Sequence, residues 1–179
     1  MRETSLTIEH ALLGFLRGQP QHGYIIHQQL SDPAGLGPVW QLKLSQLYAL
    51  LHKLEEAGYV TATPESQENR PPRKVFQLTS TGQAAFLDWV QSPVAHGRSL
   101  RLEFLVKLYF ARREGTDVAS HLVAAQRARV QEWLADSERR TVRSPNDRAY
   151  SRLVAQFRQG QIEAMLTWLD HCEATFHEV

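Results

Sequence analysis

The polar residues of one short stretch, LSQLYALLHKLEEAGYV, are uncharged hydrogen-bonding groups first and acids last. Ser45, Gln46 and Tyr48 come early, whereas Glu55 and Glu56 come near the end. Glutamine can bond adenine through two hydrogen bonds, and serine or tyrosine hydroxyls can reach bases or phosphates. A helix in the major groove of DNA reads bases mainly with its N-terminal residues, and acids are tolerated where the helix has left the groove. The order of the residues therefore indicates a helix that enters the major groove.

The apolar residues of the same stretch fall on one side of a helix. At about 100° per residue, Leu50, Leu51 and Leu54 fall within about 60° of Leu47, so these four leucines form the predicted buried side. The opposite side carries Ser45, Ala49, His52 and Glu56, with Gln46 and Lys53 on one flank and Tyr48 on the other. Ser45 is the predicted N-cap, and Gly58 falls where a left-handed C-terminal cap favours glycine.

Basic side chains that could bind phosphate lie near this helix in the sequence. Residues 1–92 carry seven Lys and Arg against eight Asp and Glu, a net charge of −1, so bulk charge does not favour DNA. Local charge does, because Lys43 and Lys53 bracket the helix and Arg70, Arg73 and Lys74 cluster after it. A solvated turn is the alternative interpretation of that second cluster.

The neighbouring elements predict a winged helix-turn-helix. Residues 5–18 have helical spacing with Ser5 as N-cap and Gly18 as stop, and a second helix runs from about 22 to 32. After Gly58, YVTATPE and KVFQLT are β-prone and flank the polar turn SQENRPPR, which predicts a β-hairpin. A fourth helix follows, with Thr79 or Ser80 as its cap.

The second half of the chain is predicted to be entirely helical. Residues 100–115 are apolar nearly all round and predict a buried helix. A second helix begins near Thr116, and a long third one opens at Ser144-Pro145. The apolar stripe of the third helix, Tyr150, Leu153, Val154 and Phe157, changes phase at Gly160, which indicates a kink or a change of packing partner. Long helices with apolar seams favour pairing with a second chain.

These elements give a mainly α fold class with two predicted domains. Residues 1–92 form the winged helix-turn-helix of three helices plus a two-stranded β-wing, and residues 93–179 form an all-helical dimerisation and effector domain, with a joint after Pro93. The single cysteine, Cys172, and the absence of a signal peptide or membrane span at the N-terminus predict a cytoplasmic protein.

Catalytic and metal-binding patterns receive little support. No nucleophile elbow, P-loop, zinc-protease or dinucleotide motif is present, so we expect neither an enzyme nor a cofactor. The histidine spacings at His22 and His27, and at His171 and His177 beside Cys172, do not suit a helical chelate, so we expect no metal site. Four tryptophans could form a cage for a planar ligand, although each by itself is better explained as core or dimer seam: Trp40, Trp89, Trp133 and Trp168.

The ordered motifs LTIEHALLGFL, HGYIIHQQL, LSQLYALLHKLEEAGYV and RKVFQLTSTG resemble PadR-type transcriptional regulators over about residues 5–90. LRLEFLVKLYFA is similar to the start of the longer, virulence-activator-like C-terminal domain of one branch of that family. The resemblance implies a homodimer held through C-terminal helices, with a third helix in the major groove and a wing on the flanking backbone. It implies that the DNA-facing residues include Tyr24, Ser45, Gln46, Tyr48, Arg70, Arg73 and Lys74, to which their placement adds Lys43, His52 and Lys53. Where the family often has Gly-Thr before its Leu/Ile-Tyr, this chain has Ser-Gln, so the operator sequence cannot be inferred from relatives.

The sequence therefore predicts a sequence-specific DNA-binding regulator, most often a repressor in this family, that acts as a homodimer on a pseudo-palindromic operator. A small aromatic ligand that releases the DNA is part of the same hypothesis, and its identity is unknown. The alternative is a helical adaptor whose winged-helix domain docks a protein partner, which the near-neutral N-terminal half favours. Salt-sensitive binding to random duplex DNA separates the two functions.

Overall fold

The computed structural model describes residues 9–67, 70–141 and 148–177. It is mainly helical with one small antiparallel sheet, which confirms the predicted fold class. The elements in chain order are α1 (His10–Phe15), β1 (Gln21–His22), α2 (Gly23–Leu30), α3 (Leu44–Glu56), β2 (Val60–Gln67), β3 (Arg70–Leu78), α4 (Ser80–Gln91), a 3-10 segment (Gly97–Arg101), α5 (Glu103–Glu114), α6 (Thr116–Thr141) and α7 (Arg148–His177). The predicted cap Ser5 and the predicted helix opening at Ser144-Pro145 lie outside the described residues.

Helix α3 begins two residues earlier than the sequence predicts. The N-cap is Lys43, and the first helical residue is Leu44, so the prediction that Ser45 caps the helix is wrong. The side-chain oxygen of Gln46 accepts a hydrogen bond from the backbone N–H of Lys43 at 3.0 Å. This is the glutamine half of a capping box, and it satisfies a backbone donor at the helix start without a serine.

The C-terminal end of α3 is closed by Gly58, as predicted. Gly58 has φ +75°, a left-handed conformation that costs glycine little. Its N–H donates to the carbonyl of Glu55 at 3.0 Å, and the N–H of Tyr59 donates to the carbonyl of Leu54 at 2.9 Å. These two bonds form a Schellman motif, which turns the chain from α3 into β2.

The predicted hairpin is present, and a third strand that the sequence analysis missed extends it. Strands β2 and β3 pair antiparallel with Val60 opposite Leu78, and the register is irregular between Glu65 and Gln67. The two-residue strand β1 adds to the free edge of β3, with His22 opposite Val75. The sheet order is therefore β1-β3-β2. Strand β1 ties the start of α2 to the wing.

Helices from both halves of the chain share one core. Thr79 caps α4, since its hydroxyl oxygen accepts from the N–H of Gly82 at 3.0 Å. The Phe110 ring of α5 then lies edge-on to Phe15 at 5.1 Å and to Phe86 at 5.8 Å between ring centroids. Because these rings come from α1, α4 and α5, the winged helix is packed directly on the C-terminal helices. The predicted burial of α5 is confirmed.

Helix α7 runs without interruption through Gly160, but its packing changes there, as the phase change predicted. After Gly160, the apolar side packs on the core through Ile162, Met165, Leu166 and Leu169. Before it, three large apolar side chains are about two-thirds exposed: Tyr150, Leu153 and Phe157. None of the described helices is both long and apolar enough to cross a membrane.

Candidate nucleic-acid interface

Helix α3 buries one side and leaves the other open. Leu47, Leu51 and Leu54 have no exposed surface, and Leu50 is partly buried against them. The opposite side and its flanks are exposed at all the positions that the helical projection placed there: Ser45, Gln46, Tyr48, Ala49, His52, Lys53 and Glu56. Among the described residues, neither the helices nor the strands of the wing cover this surface. A helix held by leucines and open on its polar side can enter a groove.

The ring of Tyr48 packs against Gly23, the first residue of α2. A Cβ atom added at Gly23 would lie 2.7 Å from Tyr48 Cε1 and 2.9 Å from Cζ, so the ring fills the space that a side chain at position 23 would occupy. The ring also lies 6.4 Å from that of Phe76 on β3, between centroids. Tyr48 remains 40% exposed, so one edge is supported and the other is free.

Tyr24 is more exposed than Tyr48 and does not pack between α1 and α2. It is 52% exposed, and its hydroxyl accepts a hydrogen bond from the Gln28 side chain at 3.2 Å. Tyr24 is therefore not a core residue. Its hydroxyl stands at the surface near the N-terminal end of α2.

Gln46 stabilises the start of α3 in addition to its predicted role in contacting a base. Its Oε1 accepts from the N–H of Lys43, while its Nε2 has no hydrogen-bond partner among the described residues. An amide oxygen can accept two hydrogen bonds. The side chain can therefore hold the start of α3 and still present a donor and a second acceptor site to a base edge.

Some basic residues near α3 have an acidic partner, and others have none among the described residues. Lys53 Nζ lies 3.7 Å from Glu9, and Lys74 Nζ lies 3.3 Å from Glu55, so both have acidic partners. His52 Nδ1 similarly lies 3.7 Å from Glu56. The acids at the end of α3 thus serve as partners for nearby basic groups.

Lys43 and Arg73 differ from that first group. Both are exposed, and neither forms an ion pair within the described part of the chain. Strand pairing places Arg70 opposite Gln67 and Arg73 opposite Glu65, although the side chain of Arg70 lies outside the described set. Among the described basic residues near α3, Lys43 and Arg73 are therefore the ones that can bind phosphate without first breaking an ion pair.

Two histidines hold the interface in position, a role that the sequence analysis did not identify. His22 Nε2 lies 3.1 Å from a carboxylate oxygen of Glu65, and its Nδ1 lies 3.2 Å from the backbone oxygen of Lys74, so it contacts both strands of the wing. His27 Nε2 lies 2.9 Å from the carbonyl oxygen of Leu42, in the segment before α3. These contacts could not be predicted from a local sequence pattern, because they join residues far apart in the sequence.

The four tryptophans lie in different surroundings. Trp40 and Trp89 belong to the core, and Trp168 lies edge-on to Phe104 at 5.9 Å between ring centroids. Trp133 lines a cavity beside α7. In the part of the chain that is described, no group of three or more metal-ligating side chains comes together.

Two family models match the chain, one in each half. Residues 12–88 match the transcriptional regulator PadR-like family, and residues 100–177 match the virulence activator alpha C-terminal family. Both matches agree with the resemblance that the motifs indicate.

Relatives of the chain are transcriptional regulators and not enzymes. It is 27% identical over 136 residues to the negative transcriptional regulator PadR of Bacillus subtilis (strain 168), covering 74% of each chain. It is 28% identical over 93 residues to the probable transcriptional regulator Rv1176c of Mycobacterium tuberculosis (strain ATCC 25618 / H37Rv), covering 52% of this chain and 48% of the relative. A solved structure of Bacillus subtilis PadR in complex with operator DNA aligns with a TM-score of 0.47 at 24% identity, covering 93% of this chain and 97% of that one. The chain therefore combines a domain of the PadR-like family of transcriptional regulators, over residues 12–88, with a virulence-activator-like C-terminal domain, over residues 100–177.

Proposed function

We propose that this regulator is a homodimeric repressor that binds a pseudo-palindromic operator through two copies of α3. The observation that carries the proposal is the division of α3 into a side of fully buried leucines and a polar side that stays exposed. In a two-fold dimer, the two helices would enter successive major grooves about one helical turn, roughly 34 Å, apart. The operator would then repeat its half-sites with the symmetry of the protein.

The proposed contacts divide into base readers and phosphate binders. Ser45, Gln46 and Tyr48 stand on the first turns of α3, where major-groove readers are placed, and exposed Ala49 allows close approach. Phosphate contacts are assigned to seven side chains around them: Tyr24, Lys43, His52, Lys53, Arg70, Arg73 and Lys74. Of these, Lys53 and Lys74 would exchange their acidic partners for phosphate when DNA binds. Because an ion pair with an acid is lost when each phosphate contact forms, the net free energy of binding gained from Lys53 and Lys74 is small.

The proposed dimer forms through the C-terminal helices, with the domain boundary between residues 92 and 93. Tyr150, Leu153 and Phe157 lie on one side of α7 and are each at least 65% exposed. Three large apolar side chains in one stripe are costly to leave in water, at about 25 cal/mol per Å² of apolar surface. A second copy of the same stripe would cover them, as the two-fold symmetry of most homodimers requires.

Repression is the direction of regulation that we propose. A relative with 74% coverage is named a negative regulator, and a dimer bound at a promoter would block it sterically. Acting on chromosomal DNA, the protein would work in the cytoplasm. A small ligand bound to the C-terminal half would relieve repression by changing the separation of the two α3 helices.

The test is selection of binding sites from random duplex DNA, followed by footprinting of the selected site. The proposal predicts two inverted half-sites protected in major grooves one turn apart, with an affinity that falls steeply as salt rises. A single unrepeated half-site would contradict the dimer. Failure to enrich any sequence, with no salt-sensitive binding to random duplex, would favour the adaptor instead.

A further inference from the structure

A cavity of about 850 Å³ lies between the 3-10 segment, α6 and α7. Its floor is apolar and consists of partly buried Trp133, Ile162 and Met165. Gly97 lines one wall, where an added Cβ would lie 3.4 Å from Met165 Cε and 3.7 Å from Trp133 Cζ3. The volume is within the range that holds drug-sized ligands, roughly 300 to 1,000 Å³.

The side chains that line this cavity are strongly cationic. Four arginines contribute to the lining, Arg98, Arg101, Arg152 and Arg158, together with His96. The carboxylate in the same lining is Asp136, which already bonds Arg139. A flat indole beside several guanidinium groups matches a ligand with an aromatic ring and more than one negative charge. Guanidinium groups are well suited to phosphate because they donate two parallel hydrogen bonds to it.

The wall of the cavity adjoins the segment that links the two halves of the chain. Gln126 of α6 is fully buried and bonds both backbone groups of Val94, accepting from its N–H at 2.7 Å and donating to its carbonyl at 3.5 Å. Lys107 of α5 donates to the carbonyl of Ser92 at 2.9 Å, just past the end of α4, and pairs with Glu103 at 3.2 Å. The cavity lining begins at Ala95, the next residue after Val94. A ligand that moved the 95–101 segment would therefore pull on the end of α4.

We propose that this cavity is a nucleotide-binding site, with phosphate groups on the arginines and the base on Trp133, and that its occupant alters operator affinity. The site gives a chemical class to the ligand in the proposed function, and its effect on DNA rests on that function. Binding of the nucleotide does not depend on the proposed function, so an experiment can contradict the nucleotide site and the DNA-binding function independently.

The experiment measures binding of AMP, GMP, benzoate and inorganic phosphate to the full chain without DNA, by calorimetry and by tryptophan fluorescence. We expect saturable binding of a nucleotide that is at least about tenfold tighter than that of benzoate or phosphate. Benzoate offers a ring but a single negative charge, and phosphate offers no ring, whereas a nucleotide combines a base for the indole with a phosphate group that can bond more than one arginine. Arg101→Gln combined with Arg158→Gln should weaken nucleotide binding by about tenfold or more. Arg129→Gln is the matched control, since Arg129 is an exposed arginine of α6 that pairs with Glu132 and is not part of the cavity lining.

Two further variants test the position of the ligand. Trp133→Phe should remove most of the fluorescence change while calorimetry still detects binding. Gly97→Leu should block binding, because the new side chain would occupy the space beside Trp133 and Met165. Absence of nucleotide binding, binding that the arginine pair does not weaken, or equal affinity for benzoate would overturn the site. Nucleotide binding that leaves operator affinity unchanged would overturn its regulatory effect. A protein that binds nucleotide but no DNA would instead contradict the proposed function.

Discussion

The ring of Tyr48 occupies the space of the side chain that Gly23 lacks, and this contact joins α2 to the exposed side of α3. The distance from the Cβ position of residue 23 to Tyr48 Cε1 is 2.7 Å, closer than real Cβ contacts come. Gly23 belongs to the HGY motif and Tyr48 to the LY motif of the next helix. The two motifs are therefore one packing unit, and the glycine supports a predicted DNA-facing side chain.

Gly23→Ala should weaken operator binding with little loss of stability. The added methyl group would displace the outer part of the Tyr48 ring, which can rotate without moving the backbone, so we expect an affinity loss of about tenfold, near 1.4 kcal/mol. Anisotropy with the selected operator measures it. Gly18→Ala is the matched control, because nothing lies within 4 Å of the Cβ position there. Equal affinities for the two variants would refute the role of Tyr48.

Gln46 should contribute both to the stability of α3 and to base preference, and two substitutions separate these effects. Gln46→Ala removes the cap on Lys43 and the base contact, which should cost about 1 kcal/mol of unfolding free energy and relax base preference. Gln46→Glu keeps the acceptor for Lys43 but loses the amide donor. It should retain stability and still lose the preference. Binding-site selection with both variants decides the point, and an unchanged consensus for Gln46→Glu would contradict base reading.

Arg73→Ala should weaken binding to all DNA sequences alike. Arg73 is exposed and lacks an ion pair in the described part of the chain, so its loss removes a phosphate contact without freeing an acid. The slope of log affinity against log salt should fall by about 1 per subunit. Glu55→Gln should act in the opposite direction, because it releases Lys74 from its partner at 3.3 Å. If Arg73→Ala changed the preferred sequence instead, its assignment to phosphate would be wrong.

Phe157→Arg should convert the dimer to a monomer without unfolding the chain. Phe157 is 66% exposed in the single chain, so arginine there costs no core packing, yet two copies would meet at the proposed seam. Sedimentation measures the change in mass, and circular dichroism checks the helices. Arg127, which bonds Asp170 at 2.7 Å across α6 and α7, should remain paired. An unchanged dimer would place the seam elsewhere.

The parts of the fold that local pattern controls could be predicted from the sequence. The leucine side of α3, the left-handed Gly58 and the Thr79 cap each depend on residues within one or two turns of each other. Strand β1 could not be predicted in this way, because two residues carry no periodicity and pair with β3 more than fifty positions later. The start of α3 was misassigned because Ser45 is a good cap by type, while Gln46 caps from inside the helix.

The sequence predicted which residues of the candidate site are exposed on α3, but it did not predict the ion pairs and hydrogen bonds between them and their neighbours. Periodicity placed Ser45 and Ala49 on the exposed side, whereas the pairing of Lys74 with Glu55 depends on how the wing folds back on α3. Helix α7 continues through Gly160 because a glycine within a helix costs only about 1 kcal/mol relative to alanine, which packing on α6 can offset. Tertiary contacts therefore determine both the Lys74–Glu55 pair and the continuity of α7 at Gly160.

The central claim is that the exposed side of α3 lies against DNA, and one pair of substitutions tests it. Ala49 and Ala84 are both exposed on helices, Ala49 on that side of α3 and Ala84 on α4. Operator affinity at low salt should fall at least about a hundredfold for Ala49→Glu, because the new carboxylate would face the groove, and stay within about twofold for Ala84→Glu. If Ala49→Glu bound the operator as tightly as Ala84→Glu, α3 would not be the DNA-reading helix.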